Sequence, residues 1–310
     1  MNANKYEKNA LSTGSDAFSE LLGLLRLDAE IYHNATVCGD WLINEHRIGA
    51  TCFHLVTGGG CLLDVPDYLK VELLCGDLVI FPKELAHSMT PLTPQIGQQK
   101  HLSYQETKFL DSTEVGTGML CAEVRFHHKS SVYLLDELPP VFIIPHNSDS
   151  PWMQSIFDMI LAECLSQNTA SKAILDKLSE ILFTYALRQH LMENPDHFGF
   201  LALYSHERLN KAINAFHKQP AKHWTLETLA VEAALSRTVF VETFKSVSGW
   251  TVSQYLTWWR MQLAWSKLSE GKSVAEAADL VGYKSEAAFS RVFQKTFSMT
   301  AGQVRRGSNV

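Results

Sequence analysis

One pattern occurs twice near the end of this chain, and it constrains the fold more than any other feature. In residues 273–297, a short segment with a helical apolar period leads into Gly282, and phenylalanines then recur every four residues. Residues 225–247 repeat the arrangement, at an offset of 48 residues before the turn and 49 residues after it. Because chance rarely repeats a turn and its core phase together, the sequence predicts two copies of one structural unit.

Each copy carries the signals of two helices joined by a tight turn. Gly282 suits a sharp turn after a helix because glycine tolerates positive φ, and Ser285 is a favourable N-cap for the next helix. Ser236 occupies the equivalent cap position in the first copy. The face opposite the phenylalanines is polar, which is typical of a helix-turn-helix whose second helix enters a DNA major groove. A single αα-hairpin would look the same, so the prediction depends on the repeat.

About the last hundred residues resemble the DNA-binding domain of AraC/XylS-type transcriptional regulators. The resemblance implies two helix-turn-helix units joined by a long helix over residues 251–270, with double-stranded promoter or operator DNA as the partner. The positions that carry it are Ala230, Ser236, Phe244, Lys245, Gly249, Tyr255, Leu256, Arg260, Ala264, Leu268, Ala277, Val281, Gly282, Tyr283, Phe289, Ser290, Arg291, Phe293 and Phe297.

The chain also departs from that family at two places. After Phe297 the family usually has Gly-x-Ser-Pro followed by a Tyr-Arg pair. In the first DNA-contacting helix it often has a basic residue where this chain has Glu242. The residues found at the first of these places are Ser298, Thr300, Ala301, Val304 and Arg305.

Outward positions of the second helix in each copy are the candidate DNA contacts. Residues 206–310 contain 14 Lys/Arg and 8 Asp/Glu, a net charge of +6, whereas residues 1–205 have a net charge of −12. A basic C-terminal part fits phosphate contact and disfavours helix-turn-helix units that contact only proteins. For each single position, a solvated helix face is the alternative. The candidates are Arg237, Thr238, Val241, Glu242, Lys245, Ser285, Glu286, Ala287, Ser290 and Arg291.

The first half of the chain has a different pattern. Residues 16–27 predict an amphipathic helix that begins near Asp16, and the polar residues 93–115 predict a long loop. Between and after them, short β-rich segments separated by Gly and Pro turns predict a sandwich or barrel. The predicted strands are residues 50–56, 61–65, 70–74, 78–81 and 119–126.

Two of these segments resemble the motifs of cupins, which are small jelly-roll barrels. Residues 76–82 followed by His87 resemble the second motif, and residues 53–56 followed by Gly58 resemble the first. The resemblance is to AraC-type regulators with a cupin domain, and it implies that this domain senses an effector, either a small molecule or an oxidant.

In cupins that bind a metal ion, histidines supply the metal ligands. His54 and His87 are therefore the ligand candidates, and His46 is a distant third. Glu84 stands where metal-binding cupins usually have Gly, and the first motif lacks its His-x-His and Glu. The sequence therefore predicts no cofactor, and hydrogen-bonded core histidines are the alternative. A cupin-type metal enzyme with a DNA-binding appendage is the rival function, and it requires a full metal site.

Six cysteines precede the DNA-binding part, and none forms a CxxC pair, so zinc-finger spacing is absent. They are most simply small buried apolar residues. Because some relatives in the subgroup are thought to respond to oxidants through cysteine, Cys38 and Cys121 are kept as redox candidates.

Residues 151–194 predict two amphipathic helices, which pack on the barrel or on the same hairpin of a second chain. The predicted domains are a cupin-like sensory domain over 1–150, a dimerisation hairpin and linker over 151–200, and an AraC-type domain over 201–310. The fold class is α+β multidomain, with an all-α C-terminal part. The N-terminus lacks a signal-peptide core and no apolar run reaches about 18 residues, so we expect a cytoplasmic homodimer that does not enter membranes. RNA polymerase is a further expected partner.

Overall fold

The computed structural model describes residues 16–44, 46–92, 100–101, 116–128, 131–146, 151–166, 168–194 and 199–307. They form two compact units. The β unit is Leu27–Glu193, and the helical unit combines the described residues of Asn194–Val310 with those of Met1–Arg26. The predicted α+β fold, β-rich at the N-terminal side and all-α at the C-terminal side, is confirmed.

The described residues contain ten strands and twelve helices. The strands are β1 Leu27–Val37, β2 Trp41–Leu42, β3 Thr51–Gly58, β4 Gly60–Val65, β5 Leu69–Leu74, β6 Leu78–Phe81, β7 Ser88–Pro91, β8 Lys100–His101, β9 Thr117–Phe126 and β10 Phe142–Ile144. The helices are α1 Ala17–Leu25, α2 Ser131–Asp136, α3 Pro151–Ser166, α4 Ser171–Glu193, α5 Ala202–Ser205, α6 Leu209–Lys218, α7 Leu226–Glu232, α8 Arg237–Ser248, α9 Val252–Ser269, α10 Val274–Leu280, α11 Glu286–Phe297 and α12 Ala301–Arg305.

Two antiparallel sheets enclose the core of the β unit. The larger sheet has the strand order β1-β9-β3-β6-β10, and the smaller has the order β5-β4-β7, while β2 and β8 form a short parallel pair. Alternate residues of a strand share a face, so Cys52 and Val56 of β3 point into the same core as Cys121 of β9 and Phe81 of β6. Helix α4 packs against β1, where Ile31 N donates to Asp176 Oδ1 at 3.0 Å.

The five predicted strands are all present, but five further strands were not predicted. Strand β1 is the longest of the missed strands, and its register shifts between Ile31 and His33, which interrupts the period of two. The predicted loop 93–115 lies outside the described residues, apart from strand β8. The N-terminal helix begins as predicted, because the Asp16 side chain accepts a hydrogen bond from Ser19 N.

Helix α1 belongs to the helical unit, although the sequence grouped it with the sensory domain. Ala17 N donates to Asn214 Oδ1 of α6 at 2.6 Å. Leu21 and Leu25 are buried to 1% and 0% exposure, so one face of α1 is fully packed. The two residues of this hydrogen bond are 197 positions apart in the sequence. Local patterning carries no information about such a pairing.

The repeated units have equivalent turns. In the first, Leu235 N donates to Ala230 O, and in the second, Tyr283 N donates to Ala278 O, both at 2.9 Å. Each bond joins an N–H to the carbonyl oxygen five residues earlier, which is the 6→1 hydrogen bond of a Schellman motif at a helix C-terminus. The residue in the left-handed conformation is Ala234 with φ 52° in the first turn and Gly282 with φ 81° in the second.

The helix N-caps of the units were largely predictable. Ser236 accepts from Val239 N and Ser285 accepts from Ala288 N, as predicted. Helix α6 is different, because Ser205, which also has the residue type of an N-cap, belongs to α5. His206 Nδ1 instead accepts from Arg208 N and Leu209 N, each at 3.3 Å.

We predict that Ala234→Gly stabilises the protein by roughly 0.5 kcal/mol. Glycine removes a left-handed strain of about 1–2 kcal/mol, and its greater freedom in the unfolded chain offsets about 0.4–1 kcal/mol of that gain. Gly282→Ala should destabilise, because its Cβ would lie 2.6 Å from the backbone oxygen of Ala221. Urea denaturation followed by tryptophan fluorescence measures both effects.

Ala275→Gly is the matched control, because Ala275 is exposed within α10. There the same substitution should cost about 1 kcal/mol. A loss of stability in Ala234→Gly as large as that in Ala275→Gly would contradict the strained-turn interpretation.

Candidate nucleic-acid interface and interior of the β unit

Buried phenylalanines fix which face of α8 and α11 is turned outward. Phe240 and Phe244 of α8 and Phe289 and Phe293 of α11 are at most 1% exposed. The predicted DNA contacts lie on the remaining surface of these helices. Those that are exposed are Arg237, Thr238, Glu242, Lys245, Ser285, Glu286, Ala287 and Arg291, and those that are half-buried are Val241 and Ser290.

Several of these side chains already have partners within the helical unit. Arg237 Nε lies 2.7 Å from Glu227 Oε1, and Lys245 Nζ donates to Gly249 O. The Ser285 hydroxyl is occupied as the N-cap of α11. Within the part of the chain that the structure describes, Glu242 and Arg291 have no ion-pair partner. The two copies therefore present different chemistry at equivalent positions.

A buried histidine joins α1 to the core of the helical unit. His217 of α6 stacks on Trp259 of α9 with ring centroids 3.5 Å apart. Its Nε2 lies 2.9 Å from the Tyr255 hydroxyl, and its Nδ1 lies 3.5 Å from Glu20 Oε2 of α1. Burial lowers the pKa of His217, although the neighbouring Glu20 acts in the opposite direction. The Tyr255 hydroxyl also shares a hydrogen bond of 2.9 Å with Tyr204.

The interior of the β unit collects imidazole, thiol and carboxylate groups. We call His46, Cys52, His54, Glu84 and His87 the interior cluster. Strand β3 supplies Cys52 and His54, the turn between β6 and β7 supplies Glu84 and His87, and the segment after β2 supplies His46. The possible ligand atoms of His46, Glu84 and His87 all lie within 4.8 Å of one another, as do those of Cys52, His54 and Glu84.

The strand register places two further polar groups beside His54. His54 pairs with Cys121 on β9 and with Val79 on β6. From the other side of β9, His33 of β1 pairs with the same Cys121. Because directly opposed residues share a face, His33, Cys121 and His54 lie side by side on one face of the larger sheet.

Burial sets the protonation of the interior. It lowers the pKa of His54 well below its usual value, and it lowers that of His87 to about 4. It also raises the pKa of the Cys52 and Cys121 thiols well above the usual value, and it raises that of Glu84. At neutral pH the His54 and His87 imidazoles are therefore neutral, and the two thiols are protonated.

Two family models match this chain. A cupin model matches residues 16–192, and a helix-turn-helix domain model matches residues 229–307. The chain belongs to the AraC-type transcriptional regulators with an N-terminal cupin domain. The two family resemblances seen in the sequence are confirmed, and so is the predicted function of a DNA-binding transcriptional regulator.

Similar proteins include several AraC-type regulators. The RCS-specific HTH-type transcriptional activator RclR of Escherichia coli (strain K12) is 28% identical over 296 residues, covering 94% of this chain and 97% of the relative. The HTH-type transcriptional regulator AlkR of Acinetobacter baylyi is 28% identical over 306 residues, covering 94% and 100%. The crystal structure of the DNA-binding domain of AdpA in complex with a target DNA aligns at 25% identity and a TM-score of 0.31, covering 33% of this chain and 93% of that chain.

The sensory candidates of this AraC-type regulator occupy different environments. His54 and His87 come together, with ring centroids 5.2 Å apart. Cys121 is fully buried, whereas Cys38, which follows β1, is half-buried. From the sequence, Glu84 argues against a metal site, whereas the structure places its carboxylate within 4.8 Å of possible ligand atoms of His46 and His87 and of Cys52 and His54. Cys52, two residues before His54, was another available signal because that spacing puts both on one face.

Among the described residues, no helix is both long and apolar enough to cross a membrane.

Lowering the pH should destabilise the helical unit through His217. The folded-state pKa is below the unfolded value of 6.5, so the unfolded state binds the proton first. This contribution to stability is complete above pH 6.5 and is lost as the pH falls from there towards the folded-state pKa. We expect the free energy of unfolding to fall less between pH 7 and about pH 5 in His217→Gln than in the parent chain.

The groups that face His217 are Glu20, Tyr204 and Tyr255, and the Glu20 carboxylate lessens the effect. Exposed His223 provides the control variant His223→Gln, which should keep the parental pH dependence. Identical pH profiles for the parent chain and His217→Gln would contradict the assignment.

Proposed function

We propose that this AraC-type regulator acts as a homodimer whose α8 and α11 contact bases, and whose β unit senses an effector. The repeated helix-turn-helix is the observation that carries the proposal. Each copy turns one polar helix face outward and anchors the opposite face with two buried phenylalanines. Two such helices suit successive major-groove segments on one face of DNA, about 34 Å apart.

The two copies should contribute differently to sequence preference. Glu242 and Arg291 occupy equivalent places, 49 residues apart. An arginine can donate to both O6 and N7 of guanine, whereas a glutamate can only accept, for instance from the N4 amino group of cytosine. Phosphates also repel a glutamate. The second copy should therefore make the stronger base contacts, and the first should act more through Arg237, Thr238 and Lys245.

Helix α4 offers the dimer surface. At 100° per residue, positions 174, 178, 181, 185 and 192 lie within about 60° of one another. Ile174, Ile181 and Met192 in this row are 44%, 45% and 69% exposed, although the opposite face of α4 is buried. Leu178 and Tyr185 of the row are half-buried, and Tyr185 stacks on Trp152 of α3, so the β unit covers the row only in part. The three exposed apolar residues that remain favour a second copy of the hairpin as the partner.

The interior of the β unit is the proposed sensory region. Full burial keeps the Cys121 thiol protonated and shielded, and both conditions oppose reaction with an oxidant. The half-buried Cys38 is the more accessible thiol. A ligand at the interior cluster is accordingly favoured over oxidation of Cys121 as the input signal.

The output is transcription rather than catalysis. The relatives that span nearly the whole chain are named as transcriptional regulators or activators. This supports a chain that is not an enzyme, and it disfavours the rival of a cupin enzyme with a DNA-binding appendage. As a regulator bound at a promoter, the chain would meet RNA polymerase, which is the proposed protein partner for its output.

Arg291→Ala should weaken binding to the preferred site by about 1–3 kcal/mol and relax preference at one base position. The measurement is selection of preferred sites from a random DNA pool at fixed salt, followed by titration of the selected site. Glu242→Ala at the equivalent position is the matched variant. It should leave affinity unchanged or raise it, with the same preferred sequence, because a glutamate that faces phosphate only repels.

Lys295→Ala separates base contact from charge loss, since Lys295 is an exposed cation on the same helix. It should weaken binding to all sequences alike and reduce the salt dependence. Unchanged affinity and specificity in Arg291→Ala would show that another face of α11 meets the bases.

Ile181→Asp should convert the full-length dimer towards monomer, because a charge without a partner would be buried in the proposed interface. Sedimentation velocity at micromolar concentration measures the change. Leu74→Asp is the control, since Leu74 is 55% exposed on β5 and lies outside the α4 row. A parent chain that sediments as a monomer, or an Ile181→Asp variant as dimeric as the control, would contradict the α4 interface.

A further inference from the structure

The two helix-turn-helix copies touch each other directly, in addition to sharing α9. The segment that leads into the first copy is the loop between α6 and α7, residues 219–225, which we call the α6–α7 loop. A Cβ added to Gly282, in the turn of the second copy, would lie 2.6 Å from the backbone oxygen of Ala221 and 2.9 Å from its Cα. The backbone of the α6–α7 loop therefore packs against the backbone of the second turn.

Arg260 of α9 binds the backbone of the same loop. Its Nε donates to the Pro220 oxygen at 2.9 Å, and its Nη2 donates to the Lys222 oxygen at 3.1 Å. These two carbonyl groups flank Ala221, the residue that meets the second turn. Hydrogen bonds from a charged guanidinium are about twice as strong as those between neutral groups, and the planar fork fixes the direction of both. Arg260 therefore holds the loop at the point where the two copies touch.

The Arg260 side chain is committed to the loop. It is half-buried, and its Cζ lies 5.7 Å from the centroid of the Phe216 ring near the end of α6. No carboxylate among the described residues forms an ion pair with it, so the two loop carbonyl oxygens do not compete with an acid for its donors. In this respect it differs from Arg291, which is exposed on a DNA-contacting helix. Arg260 is thus placed to act through the loop rather than on DNA.

Further contacts make the α6–α7 loop a folded segment. Lys222 N and Trp224 Nε1 both donate to the Gln219 oxygen, at 3.1 Å and 2.9 Å. Lys222 Nζ lies 4.1 Å from the centroid of the Trp224 ring. The loop then leads into α7 through the N-cap Thr225. A displacement of the loop would consequently displace the start of the first copy.

Two connections between the copies restrict their relative motion more than one connection does. Helix α9 alone sets a distance between α8 and α11, but each copy can still rotate about its contact with α9. The contact between the α6–α7 loop and the second turn adds a second connection, which opposes that rotation. Such rotation matters on DNA, because one base pair corresponds to about 3.4 Å along the axis and about 34° around it.

We propose that Arg260 is a positioning residue that determines the spacing between the two DNA segments contacted by α8 and α11. It holds the α6–α7 loop against the turn of the second copy and makes no base contact itself. The inference rests on the proposed base contacts of α8 and α11, and it adds the residue that fixes how many base pairs separate them.

The test uses the full-length chain and its selected DNA site, with one base pair inserted or deleted between the two blocks of preferred bases. The parent chain should bind the altered sites about tenfold or more weakly, because a rigid pair of helices cannot match both blocks. Arg260→Met removes both donors, so the loss on altered sites should fall to about threefold as the loop is freed. Arg260→Gln should be intermediate, since its amide nitrogen can replace Nε but not Nη2.

Hydrogen exchange measures the hold on the loop without DNA. Backbone amides of residues 219–225 should exchange about tenfold faster in Arg260→Met than in the parent chain, because local opening of the loop no longer breaks the two Arg260 hydrogen bonds.

Arg208→Met is the matched control, because Arg208 is exposed at the N-cap of α6 and its side chain makes no capping hydrogen bond. It loses the same charge, so it should at most weaken binding to all sites alike. Its spacing preference and its loop exchange should stay parental. Far-UV circular dichroism checks that each variant is folded, and if Arg260→Met does not fold, Arg260→Gln decides.

The failure of this inference and that of the proposed function give different results. Two blocks of preferred bases, with the same spacing discrimination in Arg260→Met as in Arg208→Met, overturn the role of Arg260 and leave the base contacts of α8 and α11 intact. Parental loop exchange in Arg260→Met also overturns it. A parent chain that selects a single block of bases contradicts the proposed base contacts, and the spacing role is overturned with them.

Discussion

The burial of α9 along its length is the constraint on which the placement of both α8 and α11 depends. In the first half of α9, Tyr255 meets Phe244 of α8 with ring centroids 5.8 Å apart. In its second half, Trp265 stacks on Phe293 of α11 at 6.0 Å. Because one continuous helix contacts the core of each copy, the separation of α8 and α11 is set by the length of α9. Dense packing around both contacts makes that spacer rigid.

The interior of the β unit differs from the core of the helical unit because it buries several ionisable side chains. Its wall is apolar, yet the imidazoles of His33, His54 and His87 and the carboxylate of Glu84 are buried there. Burying polar groups of this kind is unfavourable unless hydrogen bonds or an ion compensate. Packing alone would be satisfied better by apolar side chains of similar volume. Glu84 at 1% exposure accepts a hydrogen bond from Arg47 N at 2.8 Å, which offsets part of that cost.

Features that depend on local periodicity and capping could be predicted from the sequence, whereas those that depend on distant contacts could not. The phenylalanine spacing and the caps Ser236 and Ser285 located both helix-turn-helix units, because these signals act within a few residues. The partner of α1 is Asn214, and nothing within α1 indicates it. In the sequence, Glu84 is a departure from the second cupin motif. Only the fold shows that β3 and the segment after β2 approach the turn that carries Glu84, which brings its carboxylate close to imidazole and thiol groups.

The two copies of the helix-turn-helix have diverged in how their arginines are held. Arg237 forms an ion pair with Glu227, whereas Arg291 has no such partner within the described residues. Both members of the Arg237 pair are exposed, with side-chain accessibilities of 60% and 63%. Water and salt screen such a pair strongly, so a DNA phosphate or base can replace Glu227 at little cost. The ion pair thus orients Arg237 in the free protein without removing it from the proposed DNA-contacting face of α8, which also carries Glu242.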